Sequence, residues 1–205
     1  MRRAIHSIGL VILVAAHVSC GNVVRDGRSP VMLVVNSMGA APGGGRGANN
    51  FVGTLISDVQ VLLTTPDPCT PATPCPTVYN DFGQVILSLA MKDTAVAPTS
   101  NNAVTLSRYH VEFIRADGRN TPGVDAPFGF DGGISGTIIP GGASTFSYEL
   151  VRHTSKEEPP LVQLIRNAVI IHAIARVTFY GRDLVGNDVS VTGSISVDFG
   201  NFGDQ

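Results

Sequence analysis

"AIARVTFYGRDLVGNDVSVTGSISVDFG", residues 173–200, decides the fold. Val189, Val191, Ile195, Val197 and Phe199 sit at alternate positions, interleaved with Ser190, Thr192, Ser194, Ser196 and Asp198. Side chains of a β-strand point in turn to its two faces, so this run predicts one oily face and one hydroxyl-rich face. A strand expected to end at Tyr180 precedes it, and "GRDLVGND" supplies turn chemistry between the two. Together they predict an antiparallel hairpin. Each buried side chain of this kind contributes roughly 1.5 to 3 kcal/mol, which makes the hairpin a major part of the core. A slip of one residue would bury the serines instead.

The same period recurs upstream. "GQVILSLAMKD" turns Val85, Leu87, Leu89 and Met91 inward, and "LSRYHVEFIRADG" turns Tyr109, Val111 and Phe113 inward while Arg108, His110 and Glu112 point out. "FVGTLISDVQVLL" (51–63) places Leu55, Val59, Val61 and Leu63 on one face, and "PVMLVVNSM" (30–38) has the length of one buried strand. Further strands are expected at 134–139 and 144–151, with Phe146, Tyr148 and Leu150 on one face and "PGGA" between the two as a hairpin turn.

Loops are expected at 39–50, with five glycines in twelve residues, at 94–103, and at 115–133, where Asp117-Gly118, Pro122-Gly123 and Asp131-Gly132 repeat turn signals. One helix is expected in "SKEEPPLVQLIRNA". Ser155 and Glu158 have capping-box spacing, Pro159 and Pro160 suit a first turn, and Leu161, Leu164 and Ile165 form an apolar stripe. Its expected role is to cross from one sheet to the other.

Twenty-three glycines, thirteen prolines, no tryptophan and 15% charged residues fit a turn-rich β protein better than a helical bundle. The amino terminus is of another kind. Arg2 and Arg3 precede an uncharged run from Ile8 to Ala16, followed by His17, Val18, Ser19 and Cys20. A basic head, an apolar middle and a small-residue cleavage point are the three parts of an export signal, and the apolar run is too short to span a bilayer. With Cys20 followed by Gly21 and Asn22, the segment resembles the signal of bacterial lipoproteins, although His17 stands where that family usually has leucine.

The resemblance implies cleavage before Cys20, lipidation of Cys20, and a bacterial envelope location, with the outer membrane favoured because Gly21 carries no retention mark. Two or three acyl chains make a durable tether where one holds only marginally. The expected organisation is a lipoprotein signal peptide at 1–19, a tether at 20–29 and one domain at 30–205. Cleavage leaves 186 residues with a formal net charge of −4, because Arg2 and Arg3 are lost. No basic surface points to nucleic acid.

In an exported chain, Cys69 and Cys75, held in the proline-rich "TTPDPCTPATPCPT", are expected to close a small surface loop as a disulfide. The pair supplies too few ligands for structural zinc.

The last hairpin, with its Tyr-Gly, Gly-Asn turn and alternating Val/Ser strand, resembles the final strands of bacterial immunoglobulin-like and fibronectin-III-like domains. The resemblance covers 84–203, with 30–63 as added strands. It implies an all-β fold, an antiparallel immunoglobulin-like β-sandwich with one short crossing helix. The mature chain also resembles bacterial lipoproteins that have no assigned activity.

Chemistry is sparse. Gly43, Gly44, Gly45 and Gly47 lack the Gly-Lys-Ser/Thr ending that cradles phosphate. His110, His153 and His172 form no His-Glu-x-x-His motif, and no serine sits in a Gly-x-Ser-x-Gly elbow. Glu157 and Glu158 favour a helix start without any catalytic role. Asp117, Asn120, Asp125 and Asp131 share one loop and offer oxygen ligands of the kind Ca²⁺ takes, in a spacing that is also ordinary turn chemistry. Phe128 and Phe130 in "APFGFDGG" are either partner contacts or a lid folded over one end. The expected function is a non-enzymatic, lipid-anchored interaction or structural module with an envelope protein or glycan as partner. A carbohydrate- or calcium-binding domain using 117–131 ranks second and a hydrolase third.

Overall fold

The computed structural model describes residues 27–44 and 49–203. The signal peptide, Cys20, most of the tether and Gly45 and Gly47 lie outside them. The C-terminal pattern forms as read: β9 (Ile171–Asp183) and β10 (Asp188–Gly200) pair antiparallel from Phe199 opposite Ile171 to Asp188 opposite Arg182. Val189, Ile195, Val197 and Phe199 are buried and Val191 is half-buried, while Ser190, Thr192, Ser194 and Ser196 are exposed. β9 runs three residues beyond the expected Tyr180. Its last residue, Asp183, accepts the N–H groups of Val185 (3.0 Å) and Asn187 (2.8 Å), and Gly186 supplies the left-handed turn at φ +90.

This hairpin lies in a five-stranded sheet ordered β2-β10-β9-β6-β7, with β2 (Thr54–Asp58), β6 (Val104–Arg115) and β7 (Phe130–Ile138). A three-stranded antiparallel sheet is ordered β1-β5-β8, with β1 (Val31–Ala41), β5 (Asp81–Met91) and β8 (Ala143–Val151). A small ribbon joins β3 (Val61–Leu63) to β4 (Cys75–Thr77). The chain is all-β and its pairings are antiparallel, apart from β2 beside β10.

Both larger sheets feed one hydrophobic cluster. Val85, Leu87 and Leu150 enter from one, and Val111, Val177, Phe179, Val197 and Phe199 from the other, all fully buried. Between them Tyr148 packs against Tyr109 and Phe179, each at 5.2 Å between ring centroids, and Phe113 meets Phe199 edge-on at 5.6 Å. The Tyr109 hydroxyl accepts the Glu149 N–H at 3.2 Å, whereas the Tyr148 hydroxyl is buried with no hydrogen-bond partner among the described residues.

Five expectations change. The run 51–63 is not one strand: it breaks after Asp58, so Leu55 serves the five-stranded sheet while Val61 and Leu63 serve the ribbon. Residues 134–139 and 144–151 are not a hairpin, because β7 and β8 belong to different sheets and 139–142 carries the chain across the core. β1 is an edge strand with Met32 exposed, and it continues through Gly39, Ala40 and Ala41 instead of dissolving at Gly39, because Ala40 and Ala41 are buried and Ala40 exchanges backbone hydrogen bonds with Val52. The connection after β6 ends at Gly129, since Phe130 to Gly133 already pair with β6.

The fifth change is the helix. Ser155 caps nothing; it lies inside a single turn, α1 (His153–Lys156), whose N-cap is Arg152. Glu157 to Pro160 then interrupt the helix, and a 3₁₀ segment covers Leu161–Arg166. The expected stripe does bury Leu161 and Leu164, with Ile165 packed beside them. α1 stops at Lys156 because Pro159 and Pro160 have no N–H with which to continue the helical ladder, and the Lys156 side chain turns inward. Its ammonium group meets the Asp81 carboxylate at 2.8 Å with both side chains 1% exposed, and also donates to the Asp58 carbonyl at 2.8 Å. Ser57 donates to the same carboxylate at 2.6 Å, and the Gly43 N–H reaches its other oxygen at 3.1 Å. This network fastens β2, β5 and the crossing segment together.

Candidate functional site

The strands divide the loops between two ends. At one end lie the start of β1, the 92–103 and 139–142 connections and the β9–β10 turn; at the other lie the 116–129 connection and the residues leading into β9. The second end holds the expected site residues, and the structure does not gather them. Asp117 lies between two guanidinium groups: Arg115 grips both of its oxygens and Arg119 donates from Nε (3.0 Å) and Nη2 (2.8 Å). The hydrogen bonds from Arg115 and then Arg119 hold its carboxyl well below the usual carboxylate range. Asn120 turns its side-chain oxygen to the Arg115 N–H at 2.7 Å. Arg115 also donates to the Asp125 backbone carbonyl at 3.2 Å.

Asp131 stands apart. It lies in β7 opposite His110, five residues and about 17 Å along the strand from Arg115. There it meets Arg108 at 3.2 Å and His110 at 3.3 Å. The expected oxygen cluster of Asp117, Asn120, Asp125 and Asp131 therefore does not assemble, and no group of three or more His, Cys, Asp or Glu side chains is placed to hold a metal among the described residues. The sequence carried the signal: "RADGR" flanks Asp117 with arginines, which satisfy a carboxylate that would otherwise be free for a cation.

The two phenylalanines separate as well. Phe130 is a strand residue, edge-on to Tyr109 at 6.3 Å with the Arg152 guanidinium 4.0 Å above its ring. It belongs to the packing. Phe128 remains 53% exposed. Its ring lies over Gly123, where a Cβ would come within 2.4 Å of it, and Gly123 also holds a left-handed φ of +75. The loop beneath is closed by the Thr121 carbonyl, which accepts the N–H of Asp125 at 2.9 Å, and by the Gly123 N–H donating to Ala126 at 2.8 Å. Phe128 is thus presented on a built support. Val124, Val169 and Ile170 are exposed at this same end. Val169 and Ile170 escaped the sequence reading because they directly precede a strand and read as its continuation.

The three histidines among the described residues are each engaged with a polar side chain. His153 Nδ1 lies 2.9 Å from the Asn80 oxygen, His172 Nδ1 lies 2.7 Å from Asp198, and His110 lies against Asp131. No serine or threonine hydroxyl is bonded to any of these rings among the described residues. A depression of about 620 Å³ on the outer face of β6, β9 and β10 carries hydroxyls from Thr105, Ser107 and Ser190. Arg108 covers the Tyr180 ring there at 3.7 Å, and Arg182 is paired with Asp188 at 2.6 Å.

Cys69, in the loop that joins β3 to β4, is linked by a disulfide to Cys75, the first residue of β4. The buried Lys156 and Asp81 were not readable as a site, because "SKEEPP" looks solvated and the residues that neutralise the lysine lie far away in sequence. Comparison of the chain with protein-family models, with curated proteins and with solved structures found no match.

Proposed function

We propose that this chain is a lipid-anchored, non-enzymatic module of the bacterial envelope that binds a protein partner through the end bearing Phe128. The observation that carries the reading is the exposed, preformed Phe128 platform beside a loop whose Asp117 carboxylate is held between Arg115 and Arg119. A surface with an apolar centre and satisfied ionic groups suits a protein contact better than a free ion or a small charged ligand. Support for a role without catalysis comes from His110, His153 and His172, whose bonded neighbours among the described residues are asparagine and aspartate side chains and not a serine or threonine hydroxyl.

The strand order supports an immunoglobulin-like domain. Lettered along the chain, β1, β5 and β8 take the places A, B and E, and β10, β9, β6 and β7 take G, F, C and C′. β2, parallel to β10, is then the second half of a first strand shared between the sheets.

The tether is tested by detergent phase separation: Cys20→Ala is expected to move the protein from the detergent to the aqueous phase, and unchanged partitioning overturns the anchor. The binding end is tested by a photoreactive residue at position 128 in intact envelopes. A protein adduct is expected there and lost when Val124→Asp is added, whereas a glycan adduct or the same adduct from position 192 overturns the assignment.

A further inference from the structure

We infer that the end opposite Phe128 lies against the bilayer, with the tips of its loops seated among the lipid headgroups; the inference rests on the reading of Cys20 as the lipid-bearing residue. The chain enters the fold at this end. Ser29 is buried and hydrogen bonds to the Asp183 carboxylate at the base of the β9–β10 turn, and Lys92 donates its N–H to Pro30 at 2.9 Å.

Around that point of entry three turns present aliphatic tips. Val96 is 51% exposed, Ile139 62%, Leu184 61% and Val185 79%, the last being the most exposed large apolar side chain among the described residues. None of these side chains is needed to close its turn. The β9–β10 turn is built by Asp183, Gly186 and Asn187, and it would form equally well with polar residues at 184 and 185.

Reach selects the occupant. Residues 20–26 extend at most about 25 Å from the acylated cysteine to the first described residue. The thirteen residues of β10 span about 43 Å from this end to the other. An upright molecule therefore holds Val185 near the membrane and Phe128 away from it. Arg28 and Lys92 are exposed beside the entry point, where an anionic surface attracts them. The acidic groups nearby are engaged: Asp183 within its turn, Asp188 with Arg182, and Asp93 with the Ala95 N–H at 2.9 Å.

The chain has no tryptophan, so a single one reports its own surroundings. Full-length lipidated protein carrying Val185→Trp or Val124→Trp, both at exposed positions, is reconstituted into vesicles of phosphatidylethanolamine and phosphatidylglycerol with brominated chains and floated through a density gradient. Emission from Val185→Trp is expected to be quenched several-fold more strongly than emission from Val124→Trp, and Leu184→Asp is expected to weaken that quenching without releasing the protein. Equal quenching in floated samples overturns the orientation and leaves the tether standing. Failure to float overturns the tether and the orientation with it.

Discussion

The β9–β10 hairpin and the Lys156 junction fasten the molecule by opposite means. The hairpin contributes Val177, Phe179, Val197 and Phe199, with no polar atom among their side chains, to a core that a water-excluding geometry rewards in proportion to area. The junction brings an ammonium, a carboxylate and a hydroxyl into an interior where each is stable only because the others are present. The hairpin therefore tolerates trimming in graded steps, whereas the junction tolerates removal of both charges better than removal of one.

Substitutions can break that comparison. The largest effect is expected from Val197→Asp, which places an unpaired charge in the core at a cost of several kcal/mol and should abolish the cooperative thermal transition followed by circular dichroism. Val191→Asp, at a half-buried position, should lower the midpoint less. Next comes Lys156→Met, expected to cost about 3 to 5 kcal/mol because Asp81 is left buried and uncompensated. The double variant Lys156→Met with Asp81→Leu should recover a large part of that loss in urea unfolding, and a double variant no more stable than the single would refute the junction's all-or-none character.

Loss of the disulfide in Cys69→Ser/Cys75→Ser is expected to cost no more than about 2 kcal/mol, because the loop it closes is short and on the surface.

Acid sharpens the comparison at a smaller scale. Burial works against the charged form of Asp183, but hydrogen bonds from Asn187, Ser29 and Val185 outweigh it and hold its pKa below the ordinary value. A depressed carboxylate contributes stability that is complete above its unfolded pKa, about 4. That contribution is lost as pH falls through the lower folded value. Asp183→Asn should therefore flatten the acid limb of the stability curve below about pH 4 while changing little at lower pH still.

What the sequence revealed depended on how local the cause was. The register of β10 was readable because a strict period of two with hydroxyls on the other face admits one orientation. The crossing at 139–142 was not, because "PGGA" turns a chain equally well within a sheet or between sheets, and the choice is made by β5 and β6 as partners. The break after Asp58 had the same origin: β2 is held by β10, more than a hundred residues later. At the candidate site the sequence supplied the loop and Phe128 but not the separation of Asp131, which follows from the β6–β7 pairing. It gave no sign of Lys156, whose burial depends on an aspartate, a serine and a carbonyl from two other strands.

The placing of β1 in one sheet and β2 in the other has a mechanical consequence. β1 is bonded along its length to β5 and, after the link through 42–53, the chain is bonded lengthwise to β10. A pull applied at the amino-terminal side runs parallel to β1 and loads the ladder from Val31 to Ala41 in shear, so its bonds share the force and do not open one at a time. A load applied there is carried by the whole ladder before the domain yields.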